Sequence, residues 1–249
     1  MAKKQKQQNR FFQMKASADN KSADVFIMGE ITKYAWEEFG EMSSIVFKNE
    51  LDKLGEVETI HLYINSPGGS VFEGIAIYNM LQRHNARVIV HVDALAASIA
   101  SVIAMVGDEI RMPKNSMLMI HNAWTWASGN AEQLRKAADD IERINQSAIQ
   151  TYLAKAGDSL DEETLKQLLD GETWLSADEA VSYGLADIVE EANQAVACVD
   201  EKLLKQYKNT PQQIAHKPSA IEMSIEEKSL REKIIADSKA NLTYLETIL

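Results

Sequence analysis

The stretch Val88–Met105, VIVHVDALAASIASVIAM, constrains this chain more than any other. Its first residues, Val88-Ile89-Val90, are β-branched and favour a strand. The continuation, Ala94–Val106, is uncharged and too short to cross a bilayer, so a helix buried in a protein core is expected there. Ser98 falls in the first turn of that expected helix. Peptide N–H groups point outward at such a place and favour negative charge, which suits a nucleophile whose attack creates an oxyanion. A serine among alanines also reads as a small packing residue.

The flanking sequence repeats the strand-to-helix alternation. Val25–Met28 is a short apolar run ended by Gly29, and Ile60–Ile64 is a second one, broken sharply by Asn65-Ser66-Pro67-Gly68-Gly69. Apolar spacing at Trp36, Phe39, Met42, Ile45, Val46 and Leu54 predicts a helix over Tyr34–Leu54. A second helix is expected from about Ser70 to His84. Strand, helix, strand, helix at this spacing predicts βαβ units with right-handed crossovers. Two extended runs follow, Glu109–Met112 and Met117–Ile120, and the second delivers His121. Trp124-Thr125-Trp126 and Ser128-Gly129-Asn130 read as a loop, and Ala131–Ala156 as a long helix ended by Gly157. Two S-x-x-E capping boxes, Ser159 with Glu162 and Ser176 with Glu179, predict helices over Asp161–Leu169 and Ala177–Tyr183. A strand at Ala186–Val189 closes the expected compact domain near residue 192.

The ends differ in composition. Residues 1–24 read as a basic, flexible N-terminal arm, 25–192 as the folded domain, and 193–249 as a charged linker and helical appendage. Asn209–Ser219 is polar with two prolines, and Ser224 with Glu227 forms a third capping box. At 249 residues with 45% hydrophobic content the chain can bury a sizeable core. The net charge of −11 argues against general nucleic-acid binding. A single cysteine, Cys198, excludes an internal disulfide framework and a cysteine-based zinc site. No Walker motif and no GxGxxG is present, and no cofactor or metal is expected. The N-terminus lacks the apolar segment of a secretory signal, and no membrane span is expected, which predicts a cytoplasmic protein.

Three features fall at the ends of neighbouring elements, and acyl transfer needs all three. Ser98 could serve as nucleophile, His121 as its base, and Gly68-Gly69 as a segment whose backbone N–H groups approach a ligand closely. The tetrahedral intermediate needs fixed donors, for which the amides of Gly69 and Ile99 are candidates. Spacing alone leaves His61, His84, His91 and His216 as competing bases. Ser-Pro-Gly-Gly is by itself also an ordinary turn.

Four linked motifs in order carry a resemblance. They are Tyr63-Ile-Asn-Ser-Pro-Gly-Gly-Ser-Val71, then Ala96-Ala97-Ser98, then Met119-Ile-His121, then Trp174-Leu-Ser-Ala-Asp-Glu-Ala180 with Tyr183-Gly-Leu-Ala-Asp187. From about Val25 to Val189 the chain resembles the proteolytic subunit of the Clp protease family. The phrase at Glu172–Ala180 is similar to that of Clp-like head maturation proteases of phages and prophages. The resemblance implies a Clp/crotonase-like α/β fold of stacked βαβ units with an extended handle helix, here Ala131–Ala156. It implies Ser98 as nucleophile, His121 as base, Gly69 and Ile99 as oxyanion-hole amides, and strand addition of substrate beside Gly68-Gly69. It also implies a homo-oligomeric ring, with stacking of rings through the handle.

The chain departs from the family pattern at several positions. The third triad member, usually Asp, falls on Glu172, with Asp170 as the alternative. Ala94 replaces a glycine four residues before the nucleophile. The N-terminal segment is shorter than the axial region through which housekeeping subunits meet their unfoldase, and His61 stands where those subunits often carry an aromatic. The expected function is therefore an ATP-independent serine endopeptidase cleaving phage capsid or scaffold proteins. The alternatives are a Clp-type subunit working with an ATP-dependent unfoldase, a catalytically inactive ring-forming scaffold, and a crotonase-type acyl-CoA enzyme. The tail beyond residue 192 is expected as a scaffolding or capsid-targeting appendage, itself open to cleavage.

Overall fold

The computed structural model describes residues 12–17, 21–33, 42–192, 207 and 209–211. The chain divides into two units, Met1–Ile214 and Ala215–Leu249, and every described residue belongs to the first. The expected helix over residues 224 onward, Cys198 and His216 lie outside the described residues.

Alternating apolar residues build the centre of one sheet. Strands β2 (Ser22–Met28), β3 (Thr59–Ser66) and β4 (Arg87–Ala97) run parallel and bury Val25, Ile27, Ile60, Leu62, Ile64, Val90 and Val92 on a single face. Helices α1 (Ser44–Leu54) and α2 (Val71–Gln82) supply Phe47, Leu51, Ile77 and Leu81 to the same core. Strand β5 (Glu109–Pro113) extends the sheet parallel to β4, and β8 (Ile188–Glu190) pairs parallel with β5. The opposite face carries a stacked row, Phe26 on Tyr63 at 4.8 Å and Tyr63 on His91 at 4.6 Å. That face is half-exposed, whereas parallel sheets are normally covered on both sides.

Within the span expected as an arm, residues 1–24, most of the described residues form strand rather than loose chain. Strand β1 (Phe12–Ala16) pairs antiparallel with β2, from Phe12↔Ile27 to Ala16↔Ala23, and β2 itself begins at Ser22. Ladder hydrogen bonds along the free edge of β2, with Met14 packed on the core, order a segment whose composition reads as solvated. The helix expected over Tyr34–Leu54 begins at Ser44, capped by the Ser43 hydroxyl; residues 34–41 lie outside the described set.

The small-residue run also divides differently from expectation. Leu95-Ala96-Ala97 continues β4, and only Ile99–Ala104 forms the buried helix α3. Strand β4 serves two neighbours in turn: Ile89–His91 pairs with β5, and Leu95–Ala97 pairs with β6 (Met117–Ile120). Alanines have no intrinsic demand for a strand; ladder bonds to β6 on one side and the Ser66↔Ala96 pairing on the other impose it. A strand missed in the sequence, β7 (Thr173–Ser176), then pairs antiparallel with β6.

Helix α4 spans Ala131–Ala156, as the periodicity predicts, between an Asn130–Gln133 capping box and Gly157. The Ser176–Glu179 box starts α6 (Ala177–Ser182). The Ser159 box does not form: α5 (Glu162–Asp170) is capped by Asp161, whose carboxylate accepts from the Thr164 N–H, while Ser159 sits in a 3₁₀ turn. Among the described residues no helix is long and apolar enough to cross a membrane.

Candidate active site

Ser98 sits between β4 and α3 with φ 55° and ψ −128°, a backbone conformation that L-residues rarely adopt. Such strain persists where the surroundings over-determine it. Here the Ser98 N–H donates to the Met119 carbonyl at 2.9 Å, and its carbonyl accepts from the Ser101 hydroxyl at 2.5 Å. Ser101 shares a 2.7 Å hydrogen bond with the Tyr152 hydroxyl of α4, a phenol pushed well above its ordinary range by complete burial. A sharp strand-to-helix turn, tied to the long helix, thus turns the Ser98 hydroxyl out of the core. Sequence reading passed over Ser101 and Tyr152; a tyrosine deep in an apolar helix face, needing a polar partner, was their only signal.

His121 follows β6 directly. The bond from Ser98 to Met119 aligns the two strands, and period-two alternation puts His121 on the side of Met119, away from the main core. Its Nε2 lies 2.7 Å from the Ser98 Oγ. Burial pushes the imidazole below its ordinary pKa, and the negative charge of Glu172 opposes that shift. The described rival histidines stand elsewhere: His61 Nδ1 faces His91 Nε2 at 3.2 Å on the open sheet face, and His84 Nδ1 accepts from the Ala86 N–H at the far end of α2.

The pairing of β6 with β7 explains the approach of Glu172. The register runs from Met117↔Ser176 to Ile120↔Thr173, so the next pair along is residue 121 opposite residue 172. Glu172 adopts φ 49°, the only described non-glycine besides Ser98 with positive φ. Among the described residues no hydrogen bond joins His121 to Glu172 or to Asp170. The exposed Asp170 carboxylate instead accepts from the Asn122 Nδ2 at 2.6 Å.

Gly68 and Gly69 form the opposite wall. Ile31 bridges Gly69 in parallel fashion: its N–H donates to the Gly68 carbonyl at 2.9 Å and its carbonyl accepts from the Ser70 N–H at 2.7 Å. In such a bridge the N–H and carbonyl of Gly69 itself point to the other edge. Ile99, the first residue of α3, has an N–H without an intrahelical acceptor. A Cβ on Gly68, at φ 91°, would stand 2.7 Å from both the Ser98 Cβ and the Ala97 carbonyl oxygen. Gly68→Ala is therefore expected to displace the Ser98 turn. The loss in reaction with a serine-directed probe should reach about a hundredfold, because misplacement of about 1 Å costs that much. Labelling kinetics check this, and a rate equal to wild type would disprove it.

Comparison with known proteins identifies the family. A family model described as Clp protease matches residues 6–193. The chain is 38% identical over 140 residues to the ATP-dependent Clp protease proteolytic subunit of Ligilactobacillus salivarius, across 55% of this chain and 70% of that one. It is 35% identical over 131 residues to the subunit of that name from Pleurastrum terricola, across 51% and 65% of the two chains. The Bacteroides fragilis subunit of that name is 32% identical over 141 residues, across 56% and 67%. The match thus spans about two thirds of the length of these relatives. By its sequence the chain belongs to the Clp protease family of serine peptidases.

Proposed function

We propose that the protein is a serine endopeptidase in which Ser98, His121 and Glu172 act as a triad. The observation that carries this reading is the 2.7 Å contact between the Ser98 hydroxyl and the His121 Nε2, at a strained strand-to-helix turn. The Oγ attacks the scissile carbonyl carbon, and its proton passes to Nε2. The oxyanion is held by the N–H groups of Gly69 and Ile99. When the tetrahedral intermediate collapses, the C–N bond breaks and Nε2 returns the proton to the departing amine. Water then repeats the sequence on the acyl-enzyme, releasing the acid and restoring Ser98. The outward edge of Gly69 supports binding of an extended peptide through backbone hydrogen bonds. This pairing also weighs against an inactive scaffold, and against a crotonase-type enzyme, which has no use for a serine–histidine pair.

Treatment with a fluorophosphonate, followed by peptide mass mapping, tests the reading. An adduct on Ser98 is expected; an unlabelled serine in the assembled protein would refute it. The choice of acid is tested by Glu172→Gln against Asp170→Asn. The first should lower kcat by about 10⁴, as loss of the orienting carboxylate does in other triads, and the second by no more than a few-fold. Activity lost only in the second would assign the role to Asp170.

The substrates we propose are capsid or scaffold proteins of phage head assembly, cleaved without ATP. Support comes from the Glu172–Ala180 phrase, from the residues beyond 193 that the family match leaves uncovered, and from His61 in place of a docking aromatic. The relatives' names favour a second reading, a subunit fed by an ATP-driven unfoldase. Hydrolysis of an unfolded protein by the isolated enzyme supports the first, and a strict need for an ATPase and ATP the second. Members of the family form oligomeric rings, and two surfaces here suit such burial. One is the half-exposed row Phe26, Tyr63 and His91; the other is Trp124, Trp126 and Leu134, exposed around the start of α4. The second would bring rings together face to face.

A further inference from the structure

Tyr207 and Asn209, in the region beyond residue 192 read as a linker and appendage, lie against the proposed catalytic residues. Tyr207 is 6% exposed and covers a small apolar patch of Leu95, Ala97 and Met119, on the sheet side from which His121 projects. Its ring stands edge-on to His121 at 5.4 Å and to Trp174 at 6.0 Å. Its hydroxyl donates to the Pro67 carbonyl at 2.5 Å. Two residues on, the Asn209 N–H donates to the Glu172 Oε1 at 2.9 Å, and its Nδ2 donates to the Gly171 carbonyl at 2.8 Å.

These contacts reach three separate parts of the machinery. Pro67 precedes Gly68 and Gly69, which Ile31 and the Ser66 hydroxyl hold along one edge, and the Tyr207 hydroxyl adds a hold at the Pro67 carbonyl. His121 is a single ring at the end of a strand. Glu172 has one more rotatable bond than an aspartate would, and its positive φ must be sustained by its neighbours. We propose that Tyr207 and Asn209 are positioning residues of the peptidase: a strap that holds the oxyanion segment, the base and the acid in one arrangement. The proposal rests on the triad reading above. A hydrogen bond from the Asn209 N–H to one carboxylate oxygen fixes the carboxylate's plane and leaves the other oxygen for the imidazole. The strap lies beside the reacting pair, since the 2.7 Å contact of Ser98 with His121 is intact with Tyr207 in place.

The test uses the full chain and its Tyr207→Phe, Asn209→Ala and Asn209→Pro variants. The readout is the rate of Ser98 phosphonylation by a fluorophosphonate, followed across the histidine titration range. In that step the Oγ–P bond forms, fluoride leaves and the Oγ proton passes to His121. Asn209→Pro removes the donor to Glu172 and is expected to slow the reaction about tenfold at neutral pH, the loss of one charge-assisted hydrogen bond. Its acidic limb should also move to lower pH, because a displaced Glu172 no longer opposes the effect of burial on His121. Tyr207→Phe keeps the ring packing and loses the bond to Pro67, for a drop of about fivefold. Asn209→Ala keeps the N–H and should retain the wild-type pH midpoint. A general loss of fold would scale the rate without moving that midpoint, and Tyr207→Phe remains informative if Asn209→Pro does not fold. Wild-type rates and midpoints in all variants would overturn the strap. Faster labelling would also overturn it and make the segment a cover. An unlabelled wild-type Ser98 would overturn the triad reading and the strap together, whereas a labelled wild type with unaffected variants removes the strap alone.

Discussion

Ser98→Ala is expected to abolish peptide hydrolysis, lowering kcat by on the order of a millionfold, while the fold survives. The substitution removes one hydroxyl whose hydrogen bond runs to the His121 Nε2. The backbone bonds that set the turn remain, because the N–H to Met119 and the carbonyl to Ser101 belong to the main chain. Alanine tolerates φ 55° no better than serine, so the strain is already present in the native turn. Steady-state hydrolysis of an unstructured peptide reads the activity, and thermal melting reads the fold. A variant that still cleaves within tenfold of wild type would exclude Ser98 as nucleophile. A variant that fails to fold would instead mark the hydroxyl as structural.

His121→Ala is expected to cost nearly as much, and the double variant no more than either alone, since nucleophile and base act as a unit. The imidazole must be neutral to accept the serine proton. Burial lowers its pKa below the ordinary histidine value, so the neutral form persists further into acid than an exposed histidine would allow. The wild-type rate should therefore hold through the ordinary histidine range. It should be lost only as pH falls through the lowered pKa. An acidic limb above that range would mean that the Glu172 charge outweighs burial at His121. Additive losses in the double variant would show that the two residues serve separate steps.

The depth to which the site was legible in the sequence varies by residue. Ser98, His121 and the Gly68-Gly69 segment lie at element ends that hydrophobic periodicity and glycine punctuation mark directly, and the structure brings the three together. Glu172 and Asp170 could not be separated by spacing. The antiparallel register of β6 with β7 carries Glu172 opposite His121, while Asn122 engages Asp170. Strand β7 itself was missed because four residues between a glycine turn and a capping box carry too short a pattern to distinguish from a loop.

Local chemistry alone determined the helix Ala131–Ala156 and the cap at Ser176, because a helix and its cap are closed within a few neighbouring residues. Hydrophobic alternation likewise determined that Ile60–Ile64 and Val88–Val92 form the buried centre of a sheet. Tertiary structure decided whatever depends on partners far along the chain. It turned Leu95-Ala96-Ala97 into strand through pairing with β6, and ordered Phe12–Ala16 on the edge of β2. It also set Tyr207 against Pro67, 140 residues away. Contacts at such separation leave no periodic trace, since nothing in the neighbouring sequence must change for them to form.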